Sequence, residues 1–324
     1  MKPSPIFLLS LPRSGSTMLQ RLIAAHPEVA TTSEPWLLLP ALSALRRDAA
    51  FADYGHFTAS VAISDFCENL PGGEQQYLDA VREFALDMYA AVTPPGVPYF
   101  LDKTPRYHFV ADELVRAFPD AKYVFLWRNP VAVIASMIDT FGNGKWNLFR
   151  YRGDLYDGLD RLVALQDRLG DRAISLRYED LIEQPAKAMR RVCEYLDVAP
   201  DDDIVDQFSE VNLTGSLGDQ VGTANYTQLN SDPLEKWRVT LANPVRRRWV
   251  RRYLDWLGAG RLAAMGYDLD TLRSSLAQIE SGYHGAASDA ARQLAGVVWY
   301  TLEIDGWREK RRHLKQHDRL VVHT

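Results

Sequence analysis

Residues 5–24 read PIFLLSLPRSGSTMLQRLIA, and the fold turns on how that stretch divides. Pro5 to Leu11 is apolar without alternation, the pattern of a short strand buried on both faces in a parallel sheet. Pro12 to Gly15 reads as a turn. From Ser16 to Ala25 the residues Met18, Leu19, Leu22 and Ile23 fall at helical spacing. A strand, a glycine-containing loop and a helix make an anion cradle. The first N–H groups of a helix have no partner within it and lie at the positive end of its dipole. Gly15 lets the chain wrap closely around an anion, Ser14, Ser16 and Thr17 add hydroxyl donors, and Arg13 adds a charged fork. Taken alone, a Ser/Gly turn that only joins strand to helix would read the same way.

The same alternation recurs outward. Tyr99–Leu101, Lys122–Trp127 and Ala173–Arg177 read as strands. Tyr107–Phe118, Pro130 to about Ile138, Leu155–Leu169 and Pro185–Leu196 read as helices, the second opened by a proline at its first position. The fold class predicted is therefore α/β, a P-loop-like, mostly parallel sheet flanked by helices. Residues 37–97 read as a helical insertion over the sheet edge, and 200–232 as a polar, mobile flap. The main domain is expected over 1–268, with a helical C-terminal extension over 269–324. Residues 286–304 carry apolar groups all along and 307–315 (WREKRRHLK) are basic. That tail reads as a helix packed on the body with a solvated basic face, or else as a membrane-surface or dimer-forming helix.

Composition narrows the chemistry. The 324 residues are 47% hydrophobic and 24% charged, which suits a soluble globular chain with a sizeable core. The net charge of −5 gives no overall attraction for polyanions, so nucleic acid is not an expected partner and any anion site must be local. Two distant cysteines, Cys67 and Cys193, make neither a disulfide framework nor a zinc spacing, and no metal is expected. The run Ile6–Leu11 is too short to cross a membrane and lacks a signal-cleavage pattern, so the expected compartment is the cytoplasm.

The loop is not a Walker A sequence, because both the first glycine and the lysine of that motif are missing. No Walker B aspartate follows KYVFLW, which runs instead into Arg128. These absences count against an ATP-dependent phosphotransferase, which stands as the alternative. Arg128 ends a buried strand, beyond which ligands bind in open α/β sheets, and Ser136 follows on the next helix. An isolated arginine there would read equally as a helix cap or a surface ion pair.

Together, a strand ending in Pro-Arg-Ser-Gly-Ser-Thr and a later strand ending in Arg128-Asn129-Pro130, with Ser136 beyond it, resemble the sulfotransferases. These enzymes use 3′-phosphoadenosine 5′-phosphosulfate (PAPS). The resemblance spans roughly residues 5–268 and implies that Arg13, Ser14, Gly15, Ser16 and Thr17 hold the 5′-phosphosulfate. Arg128 and Ser136 would hold the 3′-phosphate. Arg13, with His26-Pro27 and Ser33-Glu34-Pro35, is closer to the tyrosylprotein and carbohydrate branches than to the cytosolic small-molecule enzymes. Tyr178, in Arg177-Tyr178-Glu179-Asp180-Leu181, resembles a tyrosine that approaches the nucleotide. The stretch Gly218-Asp219-Gln220-Val221 to Lys236-Trp237-Arg238 resembles a loop that closes over it, which adds Lys236 and Trp237 to the binding set.

Sulfuryl transfer requires that the acceptor lose a proton and that the departing oxygen be stabilised. Where the cytosolic enzymes carry a histidine after Lys-Thr, this chain has Asp102-Lys103-Thr104-Pro105. The resemblance instead implies Glu34 as base, with Arg13 and Lys103 stabilising charge, and His108 as the alternative base. A non-catalytic, nucleotide-binding member of the family is the remaining alternative. RRRWVRR (246–252) reads as a solvated basic face or as an attractor for an acidic acceptor. Trp36, Trp146 and Tyr151 read as acceptor-pocket or packing residues. The acceptor, whether small molecule, glycan or peptide, has no readable code.

Overall fold

The computed structural model describes residues 2–46, 56–201, 203–214 and 232–302, with 304, 306–308 and 311 beyond them. Five parallel strands form one sheet. They are β1 (Ser4–Ser10), β2 (Val29–Thr31), β3 (Tyr99–Asp102), β4 (Lys122–Trp127) and β5 (Ala173–Arg177), in the order β2-β3-β1-β4-β5. The apolar, non-alternating run predicted as a buried strand is the central one. Phe7 and Leu9 point into one apolar cluster, and Ile6 and Leu8 into another on the opposite face. A sheet covered on both faces needs this pattern, since every side chain of the central strand is then withdrawn from water. Each such residue contributes roughly 1.5–3 kcal/mol on full burial.

The second cluster is closed by α1 (Ser16–Ala24) and, later in the chain, by the helix Pro185–Leu196. Helices of the 37–97 insertion are α2 (Leu38–Ser43), α3 (His56–Glu68) and α4 (Gly73–Val92). Leu38, Leu42, Leu78 and Val81 carry α2 and α4 onto the first cluster, beside α5 (Ala111–Ala117), α6 (Pro130–Gly142) and α7 (Leu159–Leu169).

Four details depart from the sequence expectation. The edge strand β2 was not foreseen, because three residues cannot show a period. The helix expected over Tyr107–Phe118 is a 3₁₀ turn, Tyr107–Val110, followed by α5. The helix expected from Leu155 opens with a π turn, Gly153–Gly158. α6 runs on to Gly142, where Asn143 (φ 49°) takes the left-handed cap.

Register sets the site. Asp102 pairs with Phe7, Ser10 with Leu126, and Trp127 with Arg177. The residues that follow β1, β3, β4 and β5 therefore emerge along one sheet edge, the carboxyl ends where ligands bind in open α/β sheets. These are Pro12–Thr17, Lys103, Arg128 and Tyr178.

Helices Pro244–Ala264, Leu269–Ala277 and Ala286–Thr301 complete the described chain. The reading of RRRWVRR as a wholly solvated face is corrected here. Arg246 and Arg247 are buried, while Arg248, Arg251 and Arg252 are exposed. Arg246 donates to Asp289 Oδ2 at 2.6 Å and to the carbonyls of Thr240 and Gly144, and Arg247 donates to the Ile279 carbonyl. Asp289 also accepts from Asn243 Nδ2 and from the Trp146 amide, which ties the last helix to the body. That helix exposes apolar side chains: Leu294 and Val297 are 74% and 66% exposed. Residues 309, 310 and 312–315 of the basic stretch lie outside the described residues. No described helix is long and apolar enough to cross a membrane.

Candidate active site

The loop between β1 and α1 is held in an unusual backbone shape. Arg13 (φ 68°) and Gly15 (φ 89°) both take left-handed conformations, and Gly15 is the residue that caps α1. For Arg13 that conformation is costly, and such strain gathers at functional sites. Ser14, Ser16 and Thr17 are nearly buried beneath the loop.

The second predicted anion-binding segment meets the first. Arg128 Nη1 donates to the Arg13 carbonyl at 3.0 Å and Nη2 to the Pro233 carbonyl at 3.0 Å. Its guanidinium lies 4.5 Å from the centre of the Tyr178 ring, while its buried Nε has no partner among the described residues. Arg13 Nε in turn donates to Ser136 Oγ at 3.3 Å. Arg13, Arg128, Ser136, Asp139, Lys236 and Trp237 line a pocket of about 160 Å³. Lys236 is exposed and lies 3.9 Å from Asp139, and Trp237 is buried. An arginine pair, a hydroxyl and a lysine suit a phosphate here, with Asp139 the one acid among them. The turn that carries Arg128 is itself fixed. Asn129 caps α6 through Val131 N, and its own N–H donates to Glu179, which also accepts from Tyr267.

A third group lies beside Thr17. Lys103 Nζ is 3.4 Å from Thr17 Oγ1 and donates to Glu34 Oε1 at 2.5 Å, with side chains 1% and 12% exposed. Trp36 Nε1 donates to the other Glu34 oxygen at 3.2 Å. A carboxylate, a lysine and the anion loop therefore share one small volume, the set that proton removal and charge stabilisation require.

The remaining expected residues divide. His108 is fully buried, 3.2 Å from Asp154 and pressed against Gly158, where a β-carbon would stand 2.8 Å from its Nε2. It is buried in the core. Trp146 is also core, packed edge-on to Trp249. Tyr151 stacks on the partly exposed Phe141, which faces the Arg13 guanidinium at 6.0 Å. Gly218 to Val221 lie outside the described residues. Sequence reasoning missed Thr104, Glu179 and Asp139, whose partners are distant in the chain. Among the described residues no cluster of His, Cys, Asp and Glu could hold a metal ion.

A family model described as the sulfotransferase family matches residues 5–203. The chain belongs to that family. It is similar to nodulation protein NoeE of Sinorhizobium fredii (strain NBRC 101917 / NGR234), 30% identical over 297 residues that cover 83% of this chain and 67% of that protein. It is also similar to the protein-tyrosine sulfotransferase of Drosophila melanogaster, 24% identical over 276 residues, covering 81% of this chain and 51% of that one. The chain thus spans between half and two thirds of these relatives. Among solved structures, the sulfotransferase domain from the curacin biosynthetic pathway superposes with a TM-score of 0.51 at 21% identity. That match covers 74% of this chain and 91% of the domain. The sulfotransferase domain of the Synechococcus PCC 7002 olefin synthase matches with the same score at 24% identity, covering 73% and 88%. These likenesses concern the fold.

Proposed function

We propose that the chain transfers a sulfuryl group from PAPS to an acceptor hydroxyl, leaving adenosine 3′,5′-bisphosphate. The observation that carries this reading is the meeting of two anion arms, Arg128 on the Arg13 carbonyl and Arg13 on Ser136. A single phosphate needs one arm; a nucleotide bearing phosphates at both ends of its ribose needs two.

In this reading the loop Arg13–Thr17 holds the 5′-phosphosulfate through the amides opening α1 and the hydroxyls beside them. Arg128 and Ser136 hold the 3′-phosphate, Tyr178 backs both arms, and Lys236 and Trp237 close the pocket. Glu34 takes the acceptor proton as the acceptor oxygen bonds to sulfur. The bond from sulfur to the bridging phosphate oxygen breaks, and Lys103 and Arg13 stabilise the charge left on that oxygen. The reaction balances with no metal or redox partner. The acceptor class is a small molecule, a glycan or a peptide. The tyrosine named for the Drosophila relative is one member of that range.

Calorimetry with adenosine 3′,5′-bisphosphate and with ATP-magnesium tests the donor half. Tight binding of the first and weak binding of the second is expected, and the reverse order would sink the reading. Transfer of labelled sulfate from PAPS to a panel of sugars, phenols, lipids and peptides then identifies the acceptor.

A further inference from the structure

Trp36 is a bulky residue in the left-handed backbone region, at φ 53°. Such a conformation persists only where its surroundings hold it. Here the Trp36 N–H donates to Thr104 Oγ1 at 3.3 Å. The Thr104 hydroxyl has one proton, and it is given to Asp102 Oδ1 at 3.1 Å. That commitment leaves the Thr104 oxygen as an acceptor facing Trp36. Asp102 is wholly buried, and its other oxygen accepts from Tyr89 and Tyr107, each at 2.6 Å. Three hydroxyl donors aimed at one carboxyl match its ionised, acceptor-only form.

This network ends at Glu34. The left-handed turn at Trp36 brings the indole back on the residue two places earlier, where Nε1–H donates to Glu34 Oε2. Lys103, between Asp102 and Thr104 in the chain, takes Oε1. Lys103, at the end of β3, and Trp36, held by Thr104 of that same segment, thus fix one Glu34 oxygen each. One bond to each oxygen leaves each a further lone pair for an incoming proton.

We propose that Asp102, Thr104 and Trp36 form a positioning relay that holds the Glu34 carboxylate at the acceptor. The proposal rests on the reading of Glu34 as the base. None of the three need touch either substrate. They fix a flexible carboxylate that would otherwise sample unproductive rotamers, and misplacement by a fraction of an ångström is felt in turnover.

The test uses the full chain with Thr104→Val, Thr104→Ser and Trp36→Phe, comparing kcat, both KM values and the affinity for adenosine 3′,5′-bisphosphate. Thr104→Val and Trp36→Phe are expected to lower kcat by about 10-fold or more, a fraction of what a general base supplies, with bisphosphate affinity within about twofold of the parent. Thr104→Ser keeps the hydroxyl and should recover most of the loss. Unchanged kcat in both impaired variants would overturn the relay. So would loss of bisphosphate binding in step with turnover, the mark of a merely structural role.

A second readout is independent of activity. The indole N–H resonance of Trp36 in nitrogen-15-labelled protein is expected to move in Thr104→Val and in Glu34→Gln. If the parent transfers sulfate to no acceptor but that resonance moves, the proposed function fails and with it the relay's catalytic role, while the hydrogen-bonded path from Thr104 through Trp36 to Glu34 stands. If it moves in neither variant, the relay fails.

Discussion

The Tyr178 ring occupies the space that a side chain on Gly15 would need: a β-carbon there would stand 2.5 Å from Tyr178 Cε2. The same ring carries the Arg128 guanidinium on its face. One aromatic residue thus packs against both the loop 12–17 and Arg128, and Gly15 is required for a packing reason as well as for its φ of 89°. Gly15→Ala should cost about 2–4 kcal/mol, from the left-handed backbone and the overpacked ring together. Denaturant unfolding measures it. A double variant with Tyr178→Ala should recover part of the loss, whereas strict additivity would show that the two residues do not interact.

Arg128→Ala should weaken adenosine 3′,5′-bisphosphate by about 10- to 100-fold, the worth of charge-assisted hydrogen bonds. Adenosine 5′-phosphate, which lacks the 3′ group, should lose little. Calorimetry on the pair decides it, and equal losses would remove Arg128 from the 3′ site.

Glu34→Gln keeps the shape and removes the carboxylate proposed as base. Turnover should drop by about 100-fold or more while bisphosphate affinity stays near the parent value. Because Lys103 loses its ionic partner, some tightening of the bisphosphate is compatible with this result. Surviving turnover is not.

Burial pushes the Asp102 carboxyl up to about 6, against the opposing pull of the Tyr107, Tyr89 and Thr104 hydroxyls and the nearby Lys103 charge. The folded protein therefore binds this proton more tightly than the unfolded chain does. The stability so contributed is complete below about pH 3.8 and is lost as pH rises through about 6. Asp102→Asn lacks the titration. The stability of the parent relative to this variant should accordingly rise by about 2 kcal/mol between pH 7 and pH 4.5, on top of a constant offset for altered hydrogen bonds. Urea unfolding at the two pH values measures it, and a flat difference would contradict it.

Asp289→Ala should strand the buried Arg246 charge and cost about 3–5 kcal/mol, with faster amide exchange in the helix Ala286–Thr301. Replacing a nearby exposed arginine, Arg252→Ala, should cost about 0.5 kcal/mol or less. Similar costs for the two would mean that Asp289 does not anchor the tail.

Much of the fold was legible before any coordinates. PIFLLSL and KYVFLW declare buried strands because a run without alternation suits only a strand covered on both faces. The loop 12–17 reads as a candidate anion site because the groups such a site needs are consecutive. Strand β2 was not legible, since three residues carry no period. His108 reads as an alternative base because it lies three residues after Pro105, where the cytosolic enzymes carry a histidine, but its burial against Gly158 depends on a turn some 50 residues later.

The sequence by itself determined the strands β1, β3, β4 and β5 with the helices between them, the run of small and polar residues in the loop 12–17, and the presence of an arginine and a serine in a second, later motif. All of these are properties of neighbours along the chain. Only the tertiary structure decided that Arg128 rests on the Arg13 carbonyl, that Lys103 and Trp36 divide the two oxygens of Glu34, and that Arg246 is buried on Asp289. Each of these joins segments that local periodicity cannot relate. Their meeting depends on strand order and register, which are fixed when both faces of the sheet are packed at once.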